Sequence, residues 1–116
     1  MSERIGEQLT RLSRGDPIGV TVEGDRYEGD VVGTKRWLCE LNHGFMESGE
    51  IRIRVELDAE TVDRHELPGA YVRIVATENA PRSWDVPRAS SYDPVEDEVV
   101  TELGSVTAID VGSTPA

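Results

Sequence analysis

The chain of 116 residues has one cysteine, one lysine and one phenylalanine, and aromatic residues make up only 5% of it. A lone Cys39 excludes an internal disulfide and any paired-cysteine zinc or redox motif. With Cys39, His43 and His65 as the only soft ligands, no metal site is expected. No apolar run approaches the roughly 18 residues that a membrane span needs, so no membrane partner is expected. The opening "MSERIGEQL" carries acids and no apolar stretch, so it reads as no signal peptide, and a cytoplasmic protein is the expectation. No phosphate-cradling glycine run precedes a helix, and no serine sits in a nucleophile elbow. The chain therefore reads as non-enzymatic, with no cofactor.

Carboxylates, by contrast, are abundant. Asp and Glu total 23 against 12 basic residues, giving a formal net charge of -11. Such a balance ordinarily argues against nucleic-acid partners, because phosphate binding needs a basic face. The scarcity of lysine and the excess of acids also match a halophilic composition. A carboxylate-rich surface stays solvated where concentrated salt screens its self-repulsion. On that reading net charge says little about the partner.

Alternation carries the fold. Residues 2–13 place Ile5, Leu9 and Leu12 at helical spacing, with Ser2 able to cap the start and Gly15-Asp16-Pro17 ending it. Ile18, Val20 and Val22 then alternate with Gly19, Thr21 and Glu23. A turn at Gly24-Asp25 leads into a return strand, Arg26 to Val32. Gly29 inside that strand marks a sharp bend or a close backbone approach. Trp37 to Leu41 reads as a short strand, followed by turn signals at His43-Gly44 and Ser48-Gly49. Ile51, Ile53, Val55 and Leu57 face inward, while Arg52, Arg54 and Glu56 face outward. Tyr71 to Ala76 is a further strand. Residues 79–94 hold Pro81, Pro87 and Pro94 without periodicity and read as a linker or extended wrap. The acidic "DPVEDEVV" and then "SVTAIDV" give one or two late strands.

These spacings resemble the Sm-like (LSm/Hfq-type) superfamily of small β-barrels. Val20, Val22, Gly24, Tyr27, Gly29 and Val31 follow its first motif, one residue short in the turn. Leu67, Pro68, Gly69, Ala70, Tyr71 and Val72 fit the spacing of its second. The similarity covers residues 2 to about 77. It implies an N-terminal helix and a strongly bent, five-stranded SH3/Sm-like barrel. It does not imply the family's RNA pocket. The base-holding Asp and Asn positions fall on Lys35 and Cys39, Pro68 replaces an Arg, and about a dozen extra residues near 38–50 interrupt the loop.

The expectation is thus an all-β barrel with a helix over residues 1–78, and a Pro-rich, acidic tail over 79–116 that packs on it. Two functional classes stand open: a nucleic-acid-associated or regulatory Sm-like module, and a protein-interaction or structural module that has lost the pocket. RNA, a protein partner and a homo-oligomer all belong to these readings. Alternation gathers Arg52, Arg54, Tyr71 and Arg73 into a candidate anion or RNA patch. The bland alternative is neutralisation by Glu28 or Asp30. Trp37 and Trp84, with Tyr92, are candidates for stacking a base or gripping a peptide. Trp84 equally suits a plug that pins the tail.

Overall fold

A computed structural model describes residues 2–111, apart from the side chains of residues 2–4 and 42, so the Ser2 cap lies outside the described side chains. Its elements are α1 (Ser2–Leu9), β1 (Pro17–Val22), β2 (Asp25–Trp37), β3 (Glu40–Asn42), β4 (Phe45–Glu47), β5 (Gly49–Leu57), α2 (Ala59–His65), β6 (Tyr71–Ala80), β7 (Ser83–Trp84), β8 (Arg88–Asp93) and β9 (Glu98–Val111). Among these residues no helix is long and apolar enough to cross a membrane.

Six strands close into an antiparallel barrel. Around it the order is β1, β2, β5, β6, β8 and β9, and β9 pairs back onto β1. The expected count of five is therefore short by one. The C-terminal region does not pack on a finished barrel but supplies two of its staves. Pro81, Pro87 and Pro94 punctuate these late strands from outside their bounds, which is where a residue without an N–H does least harm. The end of the acidic "VEDEVV", from Glu98, runs together with "SVTAIDV" as one strand, while its first three residues turn between β8 and β9; Gly104 within the strand has a positive φ of 132°.

The barrel interior takes the alternating residues of every stave. Ile18, Val20 and Val22 meet Ile51, Ile53, Val55, Val72, Ile74, Val106 and Ile109, and each is at most 5% exposed. Gly29 lets β2 cross β5 at close range: a Cβ there would stand 2.2 Å from the Glu56 carbonyl oxygen. Of the two expectations for this residue, a sharp bend or a close backbone approach, the close approach is present. The first hairpin turns on Glu23-Gly24, not Gly24-Asp25, since Val22 pairs with Asp25. Both turn residues have positive φ (47° and 94°), as the primed turn requires. Glu23 offsets its unfavourable backbone by accepting the Ser105 N–H at 3.0 Å on its carboxylate.

One end of the barrel is closed by α1 and β7. Ile5, Leu9 and Leu12 enter the core, and Trp84 lies against Gly6 with 4% of its surface exposed. Trp84 is thus the plug of the two readings above. Beneath it, Arg36 pairs with the buried Glu78 at 3.5 Å, its guanidinium 5.6 Å from the Trp84 ring centre.

Between β2 and β5 the chain leaves the barrel as a two-stranded hairpin, β3 with β4. Its turn is His43-Gly44, at φ 51° and 81°. Cys39 lies at its base, with Sγ 3.5 Å from the Met46 sulfur. Among the described residues no group of three or more His, Cys, Asp or Glu could hold a metal.

Candidate anion-binding face

A bulge in β2 sets the geometry of the outer wall. The β2–β5 register shifts between Val31 and Gly33, so Val31 opposes Val55 while Gly33 opposes Arg54. One extra residue reverses which side chains point outward. Beyond it Gly33, Lys35 and Trp37 share the outer face with Arg54, Arg52 and Glu50. On the next strand Arg54 is paired directly with Arg73. The result is a cavity of about 200 Å³ lined by Thr34, Lys35, Arg52, Arg54, Arg73, Tyr92 and Asp97. Four of the chain's twelve cations converge on it, although the chain as a whole is strongly acidic.

Two guanidiniums are held in place by packing. Arg54 lies over Gly33, where an added Cβ would stand 2.7 Å from Nη2. Arg73 sits 5.2 Å from the centre of the Tyr92 ring, and its buried Nε has no hydrogen-bond partner. The same device occurs elsewhere and supplies an internal comparison. Arg26 lies over Gly19 in the same way, but there two carboxylates close it: Glu28 at 3.0 Å and Asp110 at 2.8 Å. Among the described residues neither Arg54 nor Arg73 has a carboxylate partner. Directly opposed like charges destabilise a sheet. In a chain with nearly two carboxylates per cation, leaving this pair unmatched is a feature of the site.

Glu28 and Asp30, the expected neutralisers, do not reach the patch: Glu28 is taken by Arg26, and Arg52 is met by Glu50 at 2.6 Å. Tyr71 also departs from the expected cluster. Its hydroxyl donates to Glu56 Oε2 at 2.7 Å, and the ring lines a neighbouring groove. Trp37, 42% exposed, lies at the end of the cationic row, 4.9 Å from the Arg52 guanidinium and 5.3 Å from Lys35 Nζ. Trp84 is at the plugged end and takes no part. The structure thus brings Arg52, Arg54 and Arg73 together and adds Lys35 and Tyr92. The missed signal is the break of alternation in "DVVG", two adjacent apolar residues before a glycine, which marks the bulge that turns Lys35 outward.

The three tyrosines share an electrostatic property. The hydrogen bond from Tyr92 to the Asp97 carboxylate raises its phenol above the ordinary value near 10, while Arg54 and Arg73 pull the other way. Tyr71 is raised by its hydrogen bond to Glu56, and Tyr27 chiefly by burial. A phenol raised on folding stabilises the fold fully below the unfolded-state value. That contribution is lost as pH climbs through the folded-state value. Stability is therefore expected to fall above about pH 10. Phenolate absorbance should rise together with loss of the circular-dichroism signal. Phenolate appearing well before unfolding would contradict these assignments.

A closed six-stranded antiparallel barrel carrying a cationic pocket on its outer wall is the class that fold and site define. Searches of protein-family models, curated proteins and solved structures find no match to the chain.

Proposed function

We propose that the chain is a non-enzymatic small barrel that associates with nucleic acid, holding the phosphate of a single strand in the Arg54–Arg73 pocket and stacking a base on Trp37. The observation that carries this reading is the opposed pair of arginines, neither of them in an ion pair among the described residues, on an otherwise acidic protein. Guanidinium groups suit phosphate oxygens in bidentate geometry, and exposed aromatic rings accept any base. The hairpin spacing that resembles the Sm-like barrels fits the same reading. An Sm-like ring is joined by edge pairing between subunits, and here β9 occupies the β1 edge, so a low oligomer is proposed. A halophilic setting accords with the acidic remainder of the surface, whose self-repulsion salt screens.

Titration of a short uridine-rich RNA at moderate salt tests the proposal. Saturable binding is expected, weakening as salt rises. Arg54→Ala/Arg73→Ala should lose at least about tenfold in affinity, each charge-assisted contact contributing on the order of 1.5–3 kcal/mol. Gly33→Ala is the sharper variant. It should keep the melting temperature but displace the Arg54 guanidinium, because the atom in the way is the far end of a flexible side chain. Gly33→Ala with unchanged affinity would remove Arg54 from the site.

The β3–β4 hairpin supports a second reading, a protein-interaction module. Leu41 and Phe45 are 69% and 75% exposed on it, beside the largely exposed Leu38 and Met46. Leu41→Ser/Phe45→Ser should leave RNA binding intact if the pocket is the functional surface. RNA binding absent from wild type and a partner lost with the hairpin variant would favour the interaction module.

A further inference from the structure

Beside the cationic pocket lies a second cavity of a different character. It measures about 330 Å³, and its walls include Pro68, Ala70, Tyr71, Tyr92, Val95 and Val100. Tyr92 belongs to both cavities. It is 5% exposed although it sits outside the main core, with Arg73 over its face. The two spaces together fall in the range of small-ligand sites, which are mostly apolar with a few placed polar groups. One is cationic and the other apolar and aromatic, and a single ring divides them.

We infer that this pair of cavities recognises a phosphate monoester joined to a flat ring: the terminal nucleotide of a strand, with its end phosphate between Arg54 and Arg73 and its own base against Tyr71 and Tyr92, leaving Trp37 to another base of the strand. The inference rests on the reading of the pocket as a phosphate site and names its ligand more narrowly. Charge selects the monoester. An internal phosphodiester carries one negative charge, whereas a terminal phosphate carries about 1.5 to 2 at neutral pH. Arg54 and Arg73 form no ion pair among the described residues, Lys35 adds a third cation, and the buried Nε of Arg73 is a donor still to be met.

Reach argues the same way. Beyond the pocket a long strand meets a surface whose excess charge is negative, while a terminal group engages the pocket alone. Asp97 belongs to the arrangement too. Its carboxylate accepts from the Tyr92 hydroxyl, which fixes the dividing ring at its edge. As the one carboxylate lining the pocket, it also sets a threshold: a weakly charged anion gains less there than a dianion.

Calorimetry on the full chain at moderate salt tests this with five probes: uridine 5′-monophosphate, inorganic phosphate, a uridine oligonucleotide with a 5′-phosphate, the same oligonucleotide with a 5′-hydroxyl, and a phosphoserine peptide. The monophosphate and the phosphorylated oligonucleotide are expected to bind at least about tenfold more tightly than inorganic phosphate and the hydroxyl oligonucleotide. Equal affinity for those two favoured probes makes the nucleotide itself sufficient. Preference for the oligonucleotide makes it a strand end. Either supports the inference. Val100→Asp, on a half-exposed wall of the groove, should erase the advantage of the monophosphate and leave inorganic phosphate unchanged.

Equal binding of hydroxyl and phosphorylated oligonucleotides would overturn end recognition while sparing the nucleic-acid reading. Binding of inorganic phosphate and the peptide but of no nucleotide would overturn both. So would binding of no probe at all.

Discussion

A chain ending after Glu78 shows no cooperative thermal transition and self-associates; this is the largest effect the structure leads us to expect. The truncation removes β8 and β9, and with them the partners of β6 from Val72 to Val75 and of β1 from Ile18 to Val22. Two edges of a former barrel then present unpaired N–H and C=O groups beside apolar side chains, a template for pairing with other chains. Ala89, Val106 and Ile109 leave the core, and Trp84 leaves the end. Scanning calorimetry and light scattering on the truncated chain decide the matter. A monomeric product with a sharp transition would mean that the first four barrel strands form a self-sufficient unit.

Trp84→Ala gives the second largest effect. The ring closes the barrel against α1, with its indole N–H 3.5 Å from Glu7 Oε1 and the Gly6 backbone pressed against its face. Loss of a buried tryptophan costs about 3–5 kcal/mol, which is a large share of the roughly 5–15 kcal/mol that holds a domain together. The damage should extend beyond the cavity. Without the ring α1 loses its main contact with the plug, and the Arg36–Glu78 pair beneath it opens to water. Denaturant titration should show the destabilisation, and limited proteolysis should cut first near residues 10–16. Trp37→Ala is the control. Its ring is exposed, and surface substitutions usually stay within about 0.5 kcal/mol of wild type. Equal destabilisation by both variants would show that Trp84 does not bear on the fold as described.

Much of the architecture could be read from alternation. Ile51, Ile53, Val55 and Leu57 face inward as their spacing requires, and Gly29 admits the backbone of β5 at close range, as a strand glycine can. The β8 stave was hidden because its sequence, "RASSYD", puts Ala89 and Ser91 inward instead of large apolar residues. A narrow barrel needs small side chains somewhere on its circumference, and small residues leave no hydrophobic period to detect. The site divides along the same line. Arg52, Arg54 and Arg73 were visible because period two is unbroken on β5 and β6. Lys35 and the guanidinium cradle of Gly33 depend on one bulged residue, and a single insertion inverts every assignment that follows it. Parity alone groups Tyr71 with the arginines; its hydroxyl donates to Glu56 and the residue lines the apolar groove.

The order of the barrel strands also has a consequence for how the chain comes off the ribosome. Each barrel strand pairs with the barrel strand before it in sequence, so five of the six seams can form as synthesis proceeds. The sixth joins Ile18 to Val111, nearly the whole length of the chain apart, and cannot close until β9 has emerged. Until then β1 waits with an open edge and an apolar face, the state in which nascent chains are caught by one another. The polar face of "VTELGSVTAIDV" and the carboxylates at Glu98, Glu102 and Asp110 keep the waiting partner strand in solution. Repulsion between acidic copies thus protects the barrel during the interval before it can protect itself by closing.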